Sequence, residues 1–503
     1  MRGLAAAITS PIGLPLAMLA ASLALRSLSF VPAVIDTDEG LYIVQARSWL
    51  AGTWPLIGVW DMHPIGAPAL AALAMLLPLP VIFAVRLIGT IAVAATATAL
   101  TLLARALGLP TFAAFSAGLL SIAMTTNFGG LATNTEILFA PFAVTALLIA
   151  AIEARRALDE DEPPRMAAVI SAGLLIGIAL TIKSIVVLEG CFAFAVIAGA
   201  GLAARTLTLR RLIVLALVYA GACGLPTLVI ALAYAAQGAF DVFVDVWFIA
   251  PLRYVGARIA FRDAAWMAVS VILFLAWPFA LASATLLPGA GVARAARFGA
   301  VWFVVAAVAV AAPGMFFNHY FLIILPPLSL LAAAGAWALA QLLMPARPVW
   351  LLGLIVGAMT VNAWVADAAR RIELGPGFRR PDPVRLVAEA VRATVPDGAP
   401  VWIANYHPVV YVLADVAVPT RFAFPAHLAG WYSGVTGIDA DAEIDRVLAS
   451  RPAAIVVDRG WWTAIRPPIR GVIEAALARD YVFAARVLEA NGPVEIYRLR
   501  ETP

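Results

Sequence analysis

Cysteine and charge are both scarce in this chain. Its two cysteines, Cys191 and Cys223, lie in apolar segments, so the sequence offers no disulfide framework and no Cys-x-x-Cys metal motif. Glycine-rich phosphate loops, zinc-spaced His and Cys sets and Gly-x-Ser-x-Gly elbows are absent as well. Charged residues make up only 13% of the chain, and the net charge of +4 comes mostly from arginines in short loops. This charge does not indicate nucleic-acid binding.

Apolar side chains are abundant instead. Hydrophobic residues make up 63% of the chain and the mean hydropathy is +0.95, which indicates an integral membrane protein. Apolar runs of about 17–25 residues recur through the first three quarters, the length of a helix that crosses a bilayer. The short, proline-bounded run 64–78 predicts a helix on the membrane surface. We predict eleven spans, at about 12–34, 81–104, 110–127, 137–153, 167–186, 188–204, 212–236, 264–288, 298–314, 319–343 and 349–367.

Arginine placement predicts the orientation, because cytoplasmic loops retain positive charge. With the N-terminus inside, the cytoplasmic connections hold Arg105, Arg155, Arg156, Arg165, Arg205, Arg210, Arg211, Arg294, Arg297 and Arg347. The opposite loops hold only Arg47, Arg253, Arg258 and Arg262. The first segment then predicts a retained signal-anchor of a cell-membrane protein, and eleven spans place the C-terminus outside.

The composition changes near residue 368, where several arginines and prolines indicate an exit into water. We therefore predict a transmembrane domain over 1–367 and a small extracytoplasmic α/β domain over 368–503. Helical spacing and short apolar runs predict the elements of the second domain. The helices fall at 383–395, 440–450 and 468–479, and the strands at 401–404, 453–457, 481–487 and 493–498. A structural cap is the default role of this domain.

Three carboxylates follow directly on the first apolar segment, at Asp36, Asp38 and Glu39. Ionisable groups at the edge of the hydrocarbon are costly unless they serve a water-filled site. We interpret Asp38 and Glu39 as catalytic candidates, pointing about 100° apart on a helix. The alternative is helix capping, with Thr37 or Asp38 as the N-cap and the carboxylates in the first turn.

Other segments place polar groups on the same predicted side. Lys183 is the only lysine and lies near the outer end of a predicted span, where a compact ammonium suits a lipid-linked phosphate. The alternative is a snorkelling anchor. The remaining candidates are Asp61 and His63 in the first loop, Glu136, the loop arginines Arg253 and Arg258, and the pair His319 and Tyr320. The alternative for Glu136 is a charge that stabilises a helix N-terminus. The alternative for Arg253 and Arg258 is solvation in the loop, and that for His319 is a structural histidine.

Several of these residues fall in a recognisable pattern. Asp38-Glu39-Gly-Leu-Tyr42, Gly52-x-x-Pro55 and Asp61-x-His63-Pro64 resemble the first outer loop of GT-C glycosyltransferases, in the branch of protein O-mannosyltransferases and aminoarabinose transferases. Thr135-Glu136, the segment 177–183 and His319-Tyr320 follow in the family's order. The resemblance covers about residues 1–345. One departure is the family's Lys-Pro-Pro, which is His63-Pro64-Ile65 here, and a histidine is charged only part of the time near neutral pH.

The resemblance implies a GT-C fold and transfer of a sugar from a polyprenyl-phosphate donor to a lipid, glycan or protein acceptor at the outer face. By it, Asp38 matches the catalytic carboxylate with Glu39 beside it, Glu136 matches the second acid, and Lys183 and His319 match positions near the lipid phosphate. This branch of the family looks metal-independent, while Asp36, Asp38 and Glu39 are candidate ligands for a divalent cation, so metal dependence stays open. The alternatives are a transporter or flippase, and a polymerase or ligase of lipid-linked glycans.

Overall fold

The computed structural model describes residues 10–255, 259–287 and 291–501. These residues form two compact units by their contacts. The helical unit comprises the described residues within 10–28, 87–238 and 259–369, and the mixed unit comprises those within 29–86, 239–255 and 370–501. The predicted division of the chain at residues 367 and 368 stays a prediction.

The helical unit is built from long apolar helices joined by short connections. In the segment Asn318–Leu343, 89% of the residues in the apolar stretch are buried. The same fraction is 17% for Leu209–Ala236 and 12% for Pro348–Leu374. The exposed apolar faces of the last two suit a lipid environment. The helices are α1 (Gly13–Arg26), α4 (Val81–Ala106, shared with the mixed unit), α5 (Thr111–Met124), α6 (Thr135–Glu160), α7 (Met166–Leu180), α8 (Val187–Ala203), α9 (Leu209–Ala236), α12 (Phe261–Phe274), α13 (Ala276–Ser283), α14 (Ala293–Ala311), α15 (Leu325–Leu343) and α16 (Pro348–Leu374).

Every predicted span coincides with a helix or a helix pair, so the protein is a multi-pass membrane protein. Among the residues described, eight helices are long and apolar enough to cross a membrane, and α12 with α13 makes a ninth bent by 69°. The predicted total of eleven is not confirmed, because α5 and α7 have 14 and 15 residues. Helices of that length rise only about 21–23 Å, less than the ~30 Å of a hydrocarbon core. The helix predicted at 64–78 is observed as α3, Gly66–Met75, and its predicted place on the membrane surface stays a prediction.

The mixed unit combines a four-stranded sheet with helices from three parts of the chain. Its helices are α2 (Thr37–Leu50), α3, α10 (Phe240–Val244), a π-helical turn (Asp245–Ile249), α11 (Ala250–Val255), α17 (Pro383–Thr394), α18 (Val410–Leu413), α19 (Pro425–Leu428), α20 (Ala440–Ala449) and α21 (Pro467–Asp480). Its strands are β1 (Val401–Ile403), β2 (Ala454–Asp458), β3 (Tyr481–Glu489) and β4 (Gly492–Leu499). The predicted α/β elements are confirmed. The four-residue helices α18 and α19 were not predicted, and the segment 237–263, predicted as a loop, contains α10, the π-helical turn and α11.

The sheet has the order β1-β2-β4-β3. β1 and β2 are parallel, and β4 pairs antiparallel with both β2 and β3. β1 and β2 are buried along their whole length, as expected for short apolar strands covered on both faces. Since β1 and β2 run in the same direction, the loops after Ile403 and Asp458 leave from the same edge of the sheet.

Candidate active site

The first carboxylate cluster lies at the start of α2. Asp36 is the N-cap and accepts a hydrogen bond from the backbone N–H of Asp38 at 3.1 Å. The cap is therefore Asp36, not Thr37 or Asp38 as the capping alternative assumed. Asp38 is half-buried in the first turn, whereas Glu39 is 2% exposed. The two adjacent acids thus have different surroundings, as the 100° rotation between neighbours on a helix predicts.

Glu39 forms a buried ion pair with Arg86. The Arg86 guanidinium donates through Nε to both Glu39 oxygens at 3.2 and 3.0 Å and through a terminal nitrogen at 2.7 Å. Arg86 also donates to the carbonyls of Ser29 and Pro32. These contacts fix the chain on both sides of the Asp36–Asp38 turn. They favour a positioning role for Glu39 over direct catalysis, although its predicted catalytic role stays a prediction.

Two further contacts hold α2 in place within the mixed unit. Arg47 donates to the carbonyls of Tyr411 and Val416 at 2.7 and 2.6 Å, which joins the end of α2 to α18 and to the segment after it. A Cβ added at Gly40 would lie 3.0 Å from the backbone nitrogen of Val409. The glycine that follows Asp38-Glu39 in the sequence motif therefore allows this close backbone approach.

Asp61 and His63 form a second buried cluster in the mixed unit. The His63 Nδ1 lies 3.0 Å from an Asp61 carboxylate oxygen, and their side chains are 15% and 2% exposed. Burial alone would raise the pKa of Asp61, but the charge and hydrogen bond of His63 and the charge of His427 hold it below its usual value. The ring of Trp60 packs edge-on against His427. Asp61 therefore orients His63, and the substrate-binding roles predicted for both residues stay predictions.

Arg253 also belongs to the mixed unit. It forms an ion pair with Asp245 and packs against Gly437, where an added Cβ would meet its guanidinium. Arg258, the other predicted phosphate-binding arginine, lies outside the described residues.

The helical unit brings Glu136, Lys183 and Tyr320 into contact. The Lys183 ammonium lies 2.5 Å from a Glu136 oxygen and 4.4 Å from the centre of the Tyr320 ring. His319 stacks edge-on with Tyr320, its ring centre 5.0 Å away, and interacts electrostatically with Glu136. All of these residues lie at helix ends. Glu136 is in the first turn of α6, Lys183 is the N-cap of a 3-10 turn between α7 and α8, and His319 and Tyr320 are in a 3-10 turn before α15. The side chains of Glu136 and Lys183 are 1% and 11% exposed.

The arginines that hold these acidic segments were not predicted from the sequence. Arg26, fully buried at the end of α1, donates to the carbonyls of Gly130 and Leu131, just before the helix that carries Glu136. Arg86 likewise holds the segment around Glu39, through the ion pair and the bonds to the Ser29 and Pro32 carbonyls. The available signal was an arginine inside a predicted apolar span, which is expensive unless it is paired. Glu189, a buried acid that accepts from the Trp302 indole at 2.8 Å, was missed as well.

This arrangement offers two kinds of chemistry. Asp38 is a half-buried carboxylate on a fixed helix turn, which suits a proton acceptor. An ammonium has three N–H donors, so contact with Glu136 leaves Lys183 able to bind a phosphate oxygen as well. The residues predicted to share one site divide into Asp38, Glu39, Asp61, His63 and Arg253 in the mixed unit and Glu136, Lys183, His319 and Tyr320 in the helical unit.

Comparison with known proteins identifies the fold. No protein-family model matches the chain, and no curated protein matches it. Among solved structures, the chain is similar to ArnT from Cupriavidus metallidurans bound to undecaprenyl phosphate, with a TM-score of 0.65 and 14% identity over 97% of this chain and 98% of that one. It is also similar to the archaeal oligosaccharyltransferase AglB from Archaeoglobus fulgidus in complex with an inhibitory peptide and a dolichol-phosphate, with a TM-score of 0.52 and 14% identity over 96% and 74%.

Both neighbours are GT-C glycosyltransferases, so the chain has the GT-C fold. The fold class expected from the first-loop motif is confirmed. The transporter and flippase alternative has no support among these similarities.

Proposed function

We propose that the protein is a membrane glycosyltransferase that takes a sugar from a polyprenyl-phosphate donor and transfers it to a lipid, glycan or protein acceptor. The observation that carries this proposal is a full-length match to the fold of a structure bound to undecaprenyl phosphate. The second neighbour was solved with a dolichol-phosphate. A polyprenyl phosphate is thus the ligand that the two neighbours have in common.

The reaction needs a group that accepts a proton and a group that stabilises the leaving phosphate, and we assign these roles to Asp38 and Lys183. Transfer breaks the bond between the anomeric carbon and the phosphate oxygen, forms a bond from that carbon to the acceptor oxygen, and releases one proton. Asp38 takes the proton as general base. Lys183 stabilises the departing polyprenyl phosphate, which leaves as an anion. Tyr320 packs against the Lys183 ammonium and His319 packs against Tyr320, and we assign both side chains to the same phosphate.

Fewer carboxylates are available as ligands for a divalent cation than the sequence predicted. Both carboxylate oxygens of Glu39 accept hydrogen bonds from Arg86. Asp36 and Asp38 are therefore the carboxylates of this segment that would hold a cation. A cation bound there would polarise a phosphate oxygen of the donor. No step above depends on it.

Lys183→Met is expected to complement poorly in a strain from which the gene has been deleted. The deletion strain should lose one sugar substituent from its envelope lipids or glycans, measured by mass spectrometry, and a plasmid carrying the natural gene should restore it. Loss of one charge-assisted contact to the phosphate costs about 1.5–3 kcal/mol, which corresponds to roughly a 10–100-fold lower kcat/KM for the donor.

Two further variants separate phosphate binding from folding. Lys183→Met leaves Glu136 buried and unpaired, whereas the double variant Glu136→Gln/Lys183→Met leaves no buried charge and should fold but stay inactive. Arg294→Met breaks the exposed ion pair with Asp159 in the same unit and should complement fully. An unchanged envelope in the deletion strain would refute the function. Full complementation by the double variant would remove Lys183 from phosphate binding.

We further propose that the mixed unit's loops face the outside of the cell membrane, on the basis of the arginine asymmetry. In a background with Cys191→Ala and Cys223→Ala, cysteines at Thr53 and Leu488 should react with a membrane-impermeant thiol reagent in intact spheroplasts. A cysteine at Asp159 should react only after lysis. Leu488 is 78% exposed, so labelling there reports sidedness and not burial. Labelling of Asp159→Cys in intact spheroplasts would contradict the orientation.

A further inference from the structure

A cleft of about 390 Å³ opens in the mixed unit, at the sheet edge where β1 and β2 end. We call it the aromatic cleft, and its principal lining residues are Tyr406, His407, Trp431, Tyr432, Asp458 and Trp461. The carboxyl ends of adjacent parallel strands are a recurrent place for ligands in α/β sheets. The volume lies within the range of small-molecule sites.

Hydrogen bonds hold the walls of the aromatic cleft in place. The Asn405 amide accepts from the backbone N–H of Asp458 at 2.8 Å and donates to its carbonyl at 2.7 Å, which ties the loop after β1 to the end of β2. One Asp458 oxygen accepts from the N–H groups of Gly460 and Trp461 at 2.8 and 3.2 Å. The Trp431 indole donates to the Thr463 carbonyl at 3.3 Å. The Trp431 ring is therefore positioned by its own hydrogen bond, and the backbone of Trp461 is held by Asp458.

The tryptophan rings of the aromatic cleft are nevertheless largely uncovered. Trp431 is 61% exposed and Trp461 is 55% exposed. Two large aromatic side chains exposed at one cleft are typical of a binding surface. A ligand with an apolar face and polar edges would cover the rings while keeping its own hydrogen bonds.

The charge of the aromatic cleft selects among such ligands. Of the described residues that line it, Asp458 is the one carboxylate, and neither a lysine nor an arginine is among them. Burial lowers the pKa of His407 to about 4, so this histidine is neutral near pH 7. The lining therefore disfavours phosphates and other anions. It suits a neutral or amino-substituted saccharide, whose C–H face packs on aromatic rings and whose hydroxyl or ammonium groups donate to Asp458.

The aromatic cleft reaches the start of α2. Thr37 lines it, and the Thr37 hydroxyl lies 3.2 Å from the His407 Nδ1. Asp38 is the next residue along the same helical turn. A saccharide held in the cleft is thus held beside the turn that carries the proposed general base.

We propose that the aromatic cleft binds the saccharide portion of the acceptor, between Trp431 and Trp461 and against Asp458. This assignment rests on the proposed transferase function and adds to it the chemical class of the acceptor, a neutral or amino-substituted glycan.

The test is direct binding of saccharides to the purified full-length protein in detergent. The probe is an array of neutral, amino-substituted and phosphorylated oligosaccharides, followed by titration of the best-bound sugar with tryptophan fluorescence. The natural protein should bind neutral or amino-substituted sugars in preference to phosphorylated ones. Trp431→Ala and Trp461→Ala should each weaken binding at least about tenfold, and Asp458→Asn should weaken it without moving the melting temperature. In a transfer assay the same variants should raise the acceptor KM and leave the donor KM unchanged.

Phe483→Ala is the matched control, because Phe483 is an aromatic side chain of the same sheet, 53% exposed and not among the cleft residues. It should bind as the natural protein does. Absence of binding across the array at millimolar sugar, or preference for the phosphorylated probes, would overturn the assignment. So would unchanged sugar binding in both Trp431→Ala and Trp461→Ala, since the rings would then not belong to the sugar site. Sugar binding in a protein whose deletion strain has an unchanged envelope would overturn the acceptor role and the transferase function together, while leaving the specificity of the cleft intact.

Discussion

Asp38→Asn is expected to abolish sugar transfer while the protein still folds and binds its donor. The substitution keeps the size of the side chain and removes the basic oxygen, and loss of a general base lowers the rate by about 10²–10⁴. The measurement is kcat with saturating donor and acceptor, together with the melting temperature of the purified protein. The effect should appear in kcat and not in the donor KM, because Asp38 acts on the acceptor proton.

Asp36→Asn is the control for the local charge. Asn caps a helix as well as Asp, so this variant should keep the α2 N-terminus and remove one neighbouring carboxylate. Its kcat should stay well above that of Asp38→Asn. A kcat for Asp38→Asn within about threefold of the natural protein would remove Asp38 from the role of general base.

Arg86→Met should cause the largest loss of stability among the substitutions considered. Removing one partner of a buried ion pair leaves an uncompensated charge and costs about 3–5 kcal/mol, and the Arg86 contacts to the carbonyls of Ser29 and Pro32 are lost as well. The yield of monodisperse protein in detergent should fall sharply. The double variant Glu39→Gln/Arg86→Met removes both charges and should recover a large part of that yield.

The same double variant decides the role of Glu39. If Glu39 positions the turn that carries Asp38, the folded double variant keeps measurable transfer, with a rate well above that of Asp38→Asn. A folded double variant that is as inactive as Asp38→Asn would show that Glu39 takes part in the chemistry. Arg47→Met, which loses the contacts to Tyr411 and Val416, controls for loosening of α2 without leaving a buried carboxylate unpaired. Its ion-pair partner Asp415 is 76% exposed.

The sequence was sufficient for the parts of the structure that depend on local pattern. Long apolar runs located the membrane helices, short apolar runs located β1 to β4, and helical spacing located α17, α20 and α21. The turn carrying Asp38 was found because charges at the end of an apolar run are unusual. The capping residue was assigned one or two positions too late, because Asp36, Thr37 and Asp38 all suit an N-cap.

The remaining features depend on contacts between distant segments. Arg86 meets Glu39 across 47 positions of the chain and Arg26 meets Gly130 across 104, and one sequence does not reveal such pairs. The aromatic cleft was missed for the same reason, since Trp431 and Trp461 become neighbours of one cavity only when the loops after β1 and β2 leave from one sheet edge. The four-residue helices α18 and α19 are too short for a periodic signal.

Because Lys183 is the only lysine in the sequence, an amine-reactive reagent can modify the Glu136–Lys183 pair selectively. Besides the α-amino group, the whole sequence holds one primary amine for an acylating reagent, and that amine is engaged with a carboxylate beneath a tyrosine ring. Its acylation rate therefore reports how often this pair opens. A tryptic or mass-spectrometric readout at residue 183 would follow that opening in the natural protein, with no engineered label.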